Sequence, residues 1–267
     1  MITSVRNGLV QRARKLRKRG MRDRSREFLV EGANGIEGAL ESGRRLEVLF
    51  VSRPTSQGGE AQLEGLVDKA RAARVQTLEV SPEVMHAISD ADTPPGAVAV
   101  APFVDVDPIQ LLDSGSDLLV VLAEVRDPGN LGTILRTARA AGAGGIFLSK
   151  GTVDVYNPKV VRASAGALFH VPVAREVAVP WVLTELGTRD IRRVAADAGA
   201  TASYDEVDMR GPSALVFGNE AWGLPGEAVG AVDERASIPM RASAESLNVG
   251  IAAAVFLFEA VRQRRRH

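Results

Sequence analysis

The chain contains no cysteine, and only three of its 267 residues are histidine: His86, His170 and His267. The first absence removes disulfides and thiolate metal ligands and fits a reducing cytoplasm. The second leaves no pair of histidines at helical spacing, so no zinc enzyme and no metal are expected. Aromatic residues make up only 4%, which leaves few surfaces on which bases could stack. No apolar run reaches the roughly 20 residues of a membrane span. The longest, Val249 to Ala260, belongs to a helix, and the basic N-terminus has no apolar segment behind it to make a signal peptide. No membrane association is expected.

Net charge is also missing: 33 basic residues balance 33 acidic ones. The balance hides a strong asymmetry. Residues 1–30 carry ten Arg or Lys against Asp23 and Glu27, a local charge of +8. The remainder holds 23 basic and 31 acidic residues, a charge of −8. A second basic cluster, Arg262, Arg264, Arg265 and Arg266, lies near the end. Basic segments on an otherwise acidic protein point to a polyanion or, more plainly, to solvated faces. Val5, Leu9, Ala13 and Leu16 recur at helical spacing, so residues 5–19 read as one basic amphipathic helix.

Hydrophobic residues at 45% can build a real core. Strands are expected at Glu27–Gly32, Val48–Val51, Val75–Val80 and Ala97–Ala101, with helices near Ile36–Leu40 and Glu60–Ala73. This is a small α/β domain over residues 1–104. Asp105 to Asp117, with a proline, a glycine, two serines and four aspartates, reads as a linker. Residues 118–267 restart with the apolar run Leu118–Leu122, the signature of a parallel strand buried on both faces. Further strands are expected at Gly145–Leu148, Arg193–Ala196, Ala214–Phe217 and Ala236–Pro239. Helices are expected at about 131–142, 159–168, 179–187, 225–232 and 247–264.

Familiar nucleotide motifs fail. Gly218 and Gly223 have the spacing of a phosphate loop, but Leu224 stands where its lysine belongs. There is no dinucleotide-binding glycine pattern and no nucleophile elbow. Three other segments stand out at strand ends, where open α/β sheets hold their ligands. They are Asn130-Leu131-Gly132-Thr133-Ile134-Leu135-Arg136, then Gly218-Asn219-Glu220-Ala221-Trp222-Gly223-Leu224, then Ile238-Pro239-Met240 followed by Ser246-Leu247-Asn248-Val249.

In their order and spacing these segments resemble the three motifs of the TrmH-like (SpoU-type) RNA 2'-O-ribose methyltransferases of the SPOUT superfamily, over about residues 118–264. Residues 1–103 resemble, more weakly, that family's RNA-substrate-binding domain of the ribosomal-protein L30e type. The resemblance implies an α/β domain with a deep trefoil knot, S-adenosylmethionine as cofactor, and a homodimer with the active site at the subunit interface. By motif position it assigns the cofactor to Phe217, Gly218, Ile238, Met240 and Leu247. It assigns the chemistry to Arg136, with Asn130, Glu220, Ser246 and Asn248 ordering the reactants. It implies RNA contacts from Arg12, Arg14, Lys15, Arg17, Lys18, Arg19 and Arg22; the scarcity of aromatics makes shape and phosphate recognition the expected mode. By the same analogy ribosomal RNA is expected ahead of tRNA. A tRNA 2'-O-methyltransferase, a base methylase of the same superfamily and a non-catalytic RNA-binding protein stay open.

Each assigned residue also has a plain structural reading. Asn130 can be a helix N-cap, Arg136 a solvated arginine and Glu220 a loop cap, and Ser246 and Asn248 can be first residues of a helix. The family pattern moves these five toward the site and leaves Trp222 to packing.

Overall fold

The computed structural model describes residues 1–52, 60–241 and 246–265. Arg266 and His267, at the basic end, and residues 242–245, in the third motif, lie outside the described residues. Contacts divide the chain into two units. One is Met1–Phe103 with Asp154–His170; the other is Val104–Val153 with Val171–His267.

The first unit runs α1 (Gly8–Lys15), α2 (Arg19–Ser25), β1 (Glu27–Glu31), α3 (Ala33–Glu41), β2 (Val48–Val51), α4 (Glu60–Ala72), β3 (Gln76–Glu79), α5 (Pro82–Ile88) and β4 (Ala97–Pro102). Its sheet has the order β1-β4-β2-β3, antiparallel except for the β2–β3 pair. Val10 and Ala13 of α1, Leu16 just after it, and Val84, Met85 and Ile88 of α5 pack with Leu29, Phe50, Val98 and Val100. Alternate strand residues point to the opposite face. There the ring of Phe28 meets those of Tyr156 and Phe169 at centroid distances of 4.6 and 5.9 Å.

The single basic helix expected over 5–19 is two helices. α1 ends at Lys15, and Leu16–Lys18 form a turn before α2. Arg22 explains the break. It is 3% exposed, and its Nη1 donates to the Leu16 and Arg17 carbonyls at 2.9 and 3.0 Å. A guanidinium thus closes the negative end of α1. Nη2 and Nε of the same side chain reach Asp154 Oδ2 at 2.5 and 3.2 Å.

The second unit begins with α6 (Pro108–Leu112), β5 (Leu118–Leu122), α7 (Pro128–Ala141) and β6 (Gly145–Ser149). The chain then contributes α8 (Pro158–Ser164) and a 3-10 turn (Ala167–Phe169) to the first unit. It returns with β7 (Val173–Val177), α9 (Val179–Thr188), β8 (Arg192–Ala196), β9 (Ala202–Ser203), β10 (Ser213–Phe217), α10 (Gly226–Val229), β11 (Glu234–Ser237) and α11 (Val249–Arg264). The seven strands are all parallel, in the order β7-β6-β5-β10-β8-β11-β9. β5 is buried along its whole length, as its unbroken apolar run requires. The expected linker is not open chain. Asp107 caps α6, and Leu111 and Leu112 are buried in the core with Phe147 and Leu183.

The basic end is likewise structural in part. Arg262 pairs with Glu259 at 2.6 Å. Arg264 donates to the carbonyls of Met209, Asp117 and Gly211, and burial pushes its guanidinium below the usual arginine value while Asp117 opposes the shift.

Removing Arg22 leaves the Asp154 carboxylate buried and α1 uncapped. Arg22→Ala should therefore cost about 3–5 kcal/mol, the range for breaking one side of a buried ion pair. Urea denaturation that gives wild-type stability for Arg22→Ala would show that the pair does not hold α1 and α2 in place.

Candidate functional site

Because every strand of the larger sheet runs the same way, the loops after β5, β8, β10 and β11 emerge at one edge. Those after β8, β10 and β11, with the start of α11, surround a cavity of about 470 Å³. Its wall includes Phe217, Gly218, Glu220 and Trp222 from the β10 loop, and Ile238 and Met240 after β11. Ser246, Leu247, Val249 and Phe256 complete it. All five residues expected to hold a cofactor lie there. Phe217 is buried, with its ring edge-on to Phe256 at 5.9 Å, so it shapes the floor from below.

Gly218 is required by the loop itself. A Cβ there would overlap the Gly223 carbonyl group and approach the Leu224 nitrogen to 2.5 Å. The loop closes on Asn219, whose N–H donates to the Gly223 carbonyl while the Gly223 N–H donates back, each at 2.9 Å. Asn219 was not singled out from sequence, yet it ties two motifs together. Its Nδ2 donates to the Glu124 carbonyl at 2.8 Å, and its Oδ1 accepts the Ala221 N–H at 2.8 Å. A buried asparagine beside a required glycine was the available signal.

Three of the expected site residues form one hydrogen-bond chain. Asn130 Nδ2 donates to Glu220 Oε1 at 2.9 Å, and Asn248 Nδ2 donates to Asn130 Oδ1 at 2.7 Å. Asn248 Oδ1 in turn accepts the N–H groups of Gly250 and Ile251 at 2.9 and 3.3 Å, capping α11. Asn248 therefore caps α11 and belongs to the hydrogen-bond chain. Asn130 is not the cap of α7: Asp127 holds that place and accepts the Asn130 N–H at 2.8 Å. That leaves the Asn130 carboxamide free for the chain.

Ser246 is exposed at the cavity wall. Arg136 is not brought to it. It lies two turns into α7, exposed, with no ion pair among the described residues, and it is not part of the cavity lining. Trp222, expected to pack, is 54% exposed.

The basic N-terminal residues fall into two groups. Arg12 pairs with Glu27, whose hydrogen bond raises the Arg12 guanidinium above its usual value. Arg17 reaches Asp90 at 3.4 Å and Arg19 reaches Asp23 at 3.6 Å. Arg22, expected among the RNA contacts, is buried with its charge committed to Asp154, so it is no surface ligand. Arg14, Lys15 and Lys18 are exposed and carry no ion pair among the described residues.

Residues 117–258 match the SpoU rRNA Methylase family, and residues 7–99 match the MRM3-like substrate binding domain. The 23S rRNA (guanosine(2553)-2'-O)-methyltransferase RlmP of Bacillus subtilis is 30% identical over 96% of this chain and 97% of that protein. The 23S rRNA (uridine(2479)-2'-O)-methyltransferase of Streptomyces viridochromogenes is 34% identical over 93% of this chain and 87% of its own length. Among solved structures, the SpoU methyltransferase AviRb from Streptomyces viridochromogenes with AdoMet has a TM-score of 0.85 at 32% identity, covering 97% of this chain and 98% of that one. The AdoMet-bound rRNA methyltransferase from Sinorhizobium meliloti has a TM-score of 0.82 at 33% identity, covering 98% and 97%.

Asn248→Ala removes a cap and leaves the Asn130 oxygen unpaired, a loss of about 1–2 kcal/mol. Asn248→Ser keeps a capping oxygen without setting a carboxylate against the Asn130 oxygen and should lose less. Thermal unfolding that ranks the two variants equally, or both with wild type, would show that Asn248 does not anchor α11.

Proposed function

The chain belongs to the SpoU rRNA methylase family, and we propose that its cavity and the Asn130–Glu220–Asn248 chain beside it form the active site of the family reaction. The protein is an S-adenosylmethionine-dependent RNA ribose 2'-O-methyltransferase. The single observation that carries the site assignment is that Asn130 of the first motif is hydrogen-bonded to Glu220 and Asn248 of the other two, beside the cavity that those two motifs line.

The cavity fits the cofactor. Its volume of about 470 Å³ lies within the range of small-molecule sites, and Ile238, Met240, Leu247 and Val249 give it apolar walls. Ile238, Met240 and Leu247 would hold the adenine, with backbone groups reading its edge, and the Gly218 loop would shape the rest. The bound cofactor supplies an activated methyl group, so the protein's own work is positioning and the handling of one proton.

Glu220 and Asn130, held by Asn248, set the ribose at the cavity edge, with Ser246 beside them. Arg136 serves as a fork of donors. A guanidinium keeps its proton in proteins, so Arg136 grips the phosphate next to the target ribose and stabilises the oxygen as it loses its hydrogen. The proton leaves through phosphate or water.

Arg136 lies outside the cavity of its own chain, and α11 exposes Ile251 (51%) and Phe258 (49%) on one stripe with Val255. Both observations support a homodimer in which Arg136 of one protomer serves the cavity of its partner. The position of β10 between β5 and β8, ahead of β11 and α11 in sequence, supports the knotted C-terminal segment. Residues 1–103, with 154–170 in the same unit, act as the RNA-binding domain, and residues 104–153 and 171–267 as the methyltransferase domain. Both named relatives modify 23S rRNA, which supports ribosomal RNA as the substrate and the cytoplasm as the place of action. Among the described residues, no helix is long and apolar enough to cross a membrane.

Calorimetry and methyl-transfer assays on ribosomal RNA from cells lacking the gene test this reading together. Gly218→Val should lose S-adenosylmethionine binding because its own loop cannot close. Arg136→Ala should bind the cofactor normally and transfer nothing, and Arg136→Lys should be nearly as poor, since a point charge cannot reproduce the fork. Mixed Gly218→Val and Arg136→Ala protomers should recover part of the activity; no recovery would refute the shared site. Near-normal turnover by Arg136→Lys would refute the fork.

RNA affinity should fall with salt by a slope of about 0.7–0.9 per phosphate contacted. Replacing Arg14, Lys15 and Lys18 by alanine should flatten that slope, whereas Arg22→Ala should not. Equal slopes for the triple variant and wild type would move the RNA surface elsewhere.

A further inference from the structure

We propose that Trp222, backed by Arg126, is the platform on which the base of the target nucleotide stacks while its ribose is methylated. The proposal rests on the reading of this cavity as an RNA 2'-O-methyltransferase site.

An indole is costly to leave in water, and this one is 54% exposed. Its exposure lies at the site, because Trp222 lines the same cavity as Gly218, Glu220 and Ser246. The other tryptophan, Trp181, is partly buried against the core of the larger sheet. In a chain with two tryptophans and two tyrosines, an indole in solvent at the cavity is the stacking surface available to a base.

The ring is also held. The Arg126 guanidinium sits over it, 4.7 Å from the centroid. Arg126 Nη2 donates to Glu124 Oε2 at 2.9 Å. The Glu124 carbonyl receives Asn219 Nδ2, and Asn219 Oδ1 receives the Ala221 N–H. The indole and its cation therefore share one scaffold, built from the loops after β5 and β10. Such a pair offers a π-face to a base and a positive charge to the adjoining phosphate, the combination that binds single-stranded nucleic acid.

The reaction calls for such a group. A ribose within a stacked helix cannot bring its 2'-hydroxyl into a cavity walled by Glu220 and Ser246 unless its nucleotide leaves the stack. The lost base stacking must then be replaced by the protein. Every base has a π-face, so the platform adds affinity without choosing the base. Identity of the target then depends on RNA shape and on the exposed cations of the first unit.

Two measurements decide the matter. In the full-length Trp181→Phe protein, Trp222 is the sole indole. Its fluorescence should be quenched by short single-stranded oligo-uridine and by oligo-adenosine, in the presence of S-adenosylhomocysteine. In methyl-transfer assays on ribosomal RNA from cells lacking the gene, Trp222→Ala should raise the RNA KM about tenfold with kcat within about twofold. Trp222→Phe should restore most of the loss. S-adenosylmethionine affinity and the mass in solution should stay as in wild type.

An unchanged RNA KM in Trp222→Ala, or no quenching by either oligonucleotide, overturns the proposal. So does a parallel loss of cofactor affinity, which would make Trp222 a cover for the cofactor. A change of oligomeric state would make it a contact between copies and equally overturn it. Failure of the wild-type protein to methylate the RNA would count against the functional reading instead, and the quenching would still decide what Trp222 binds.

Discussion

The buried carboxamide of Asn130 is the constraint on which the site depends. It donates to Glu220 and accepts from Asn248, partners 90 and 118 residues away, and it is 9% exposed. A carboxamide has one accepting and one donating end, so the two bonds set its orientation. A buried amide also suffers if either partner is lost. Three distant segments are thereby held together beside the cavity. Asn248 passes the constraint into α11 by capping it, and Asn219 passes it back to the loop after β5. The Gly218 loop, which tolerates no side chain at its first residue, closes over the same point.

The parallel sheet makes this possible. Parallel strands put their carboxyl ends on one edge, so segments scattered over more than 100 residues can converge without long excursions. The cost is that loops must carry the polar chemistry while the central strands beneath are buried. β5 and β10 are buried throughout, and neither can contribute a charged group. The polar side chains of the hydrogen-bond chain therefore sit at the starts of α7 and α11 and on the β10 loop. Arg136, further along α7, is exposed and outside the cavity lining.

Charge follows a different logic. The N-terminal segment carries +8, but its cations are not equivalent. Arg22 closes α1 and pairs with Asp154, Arg12 answers Glu27, and Arg26 lies over the Phe103 ring at 4.7 Å. These are folding interactions. Arg14, Lys15 and Lys18 stay in solvent, where counterion release from a polyanion favours contact. A count of cations overstates the RNA-binding surface because some of them hold the surface together.

The sequence alone determined the alternation of strands and helices, the burial of Leu118–Leu122, the zero net charge with its basic start, and the three motifs with their order. These are local properties, readable from periodicity and spacing. It did not determine that Asp127 rather than Asn130 caps α7. Nor did it determine that residues 5–19 break into two helices, or that Asp105–Asp117 contains a buried helix. Each of those turns on a partner distant in the chain: Glu220 and Asn248 for Asn130, Asp154 for Arg22, Phe147 and Leu183 for Leu111 and Leu112. The same holds for Trp222, which the family pattern left to packing and the fold leaves in solvent. Whether an apolar or charged side chain is used inside the molecule or offered to a ligand depends on what the tertiary structure brings against it, and no periodicity carries that information.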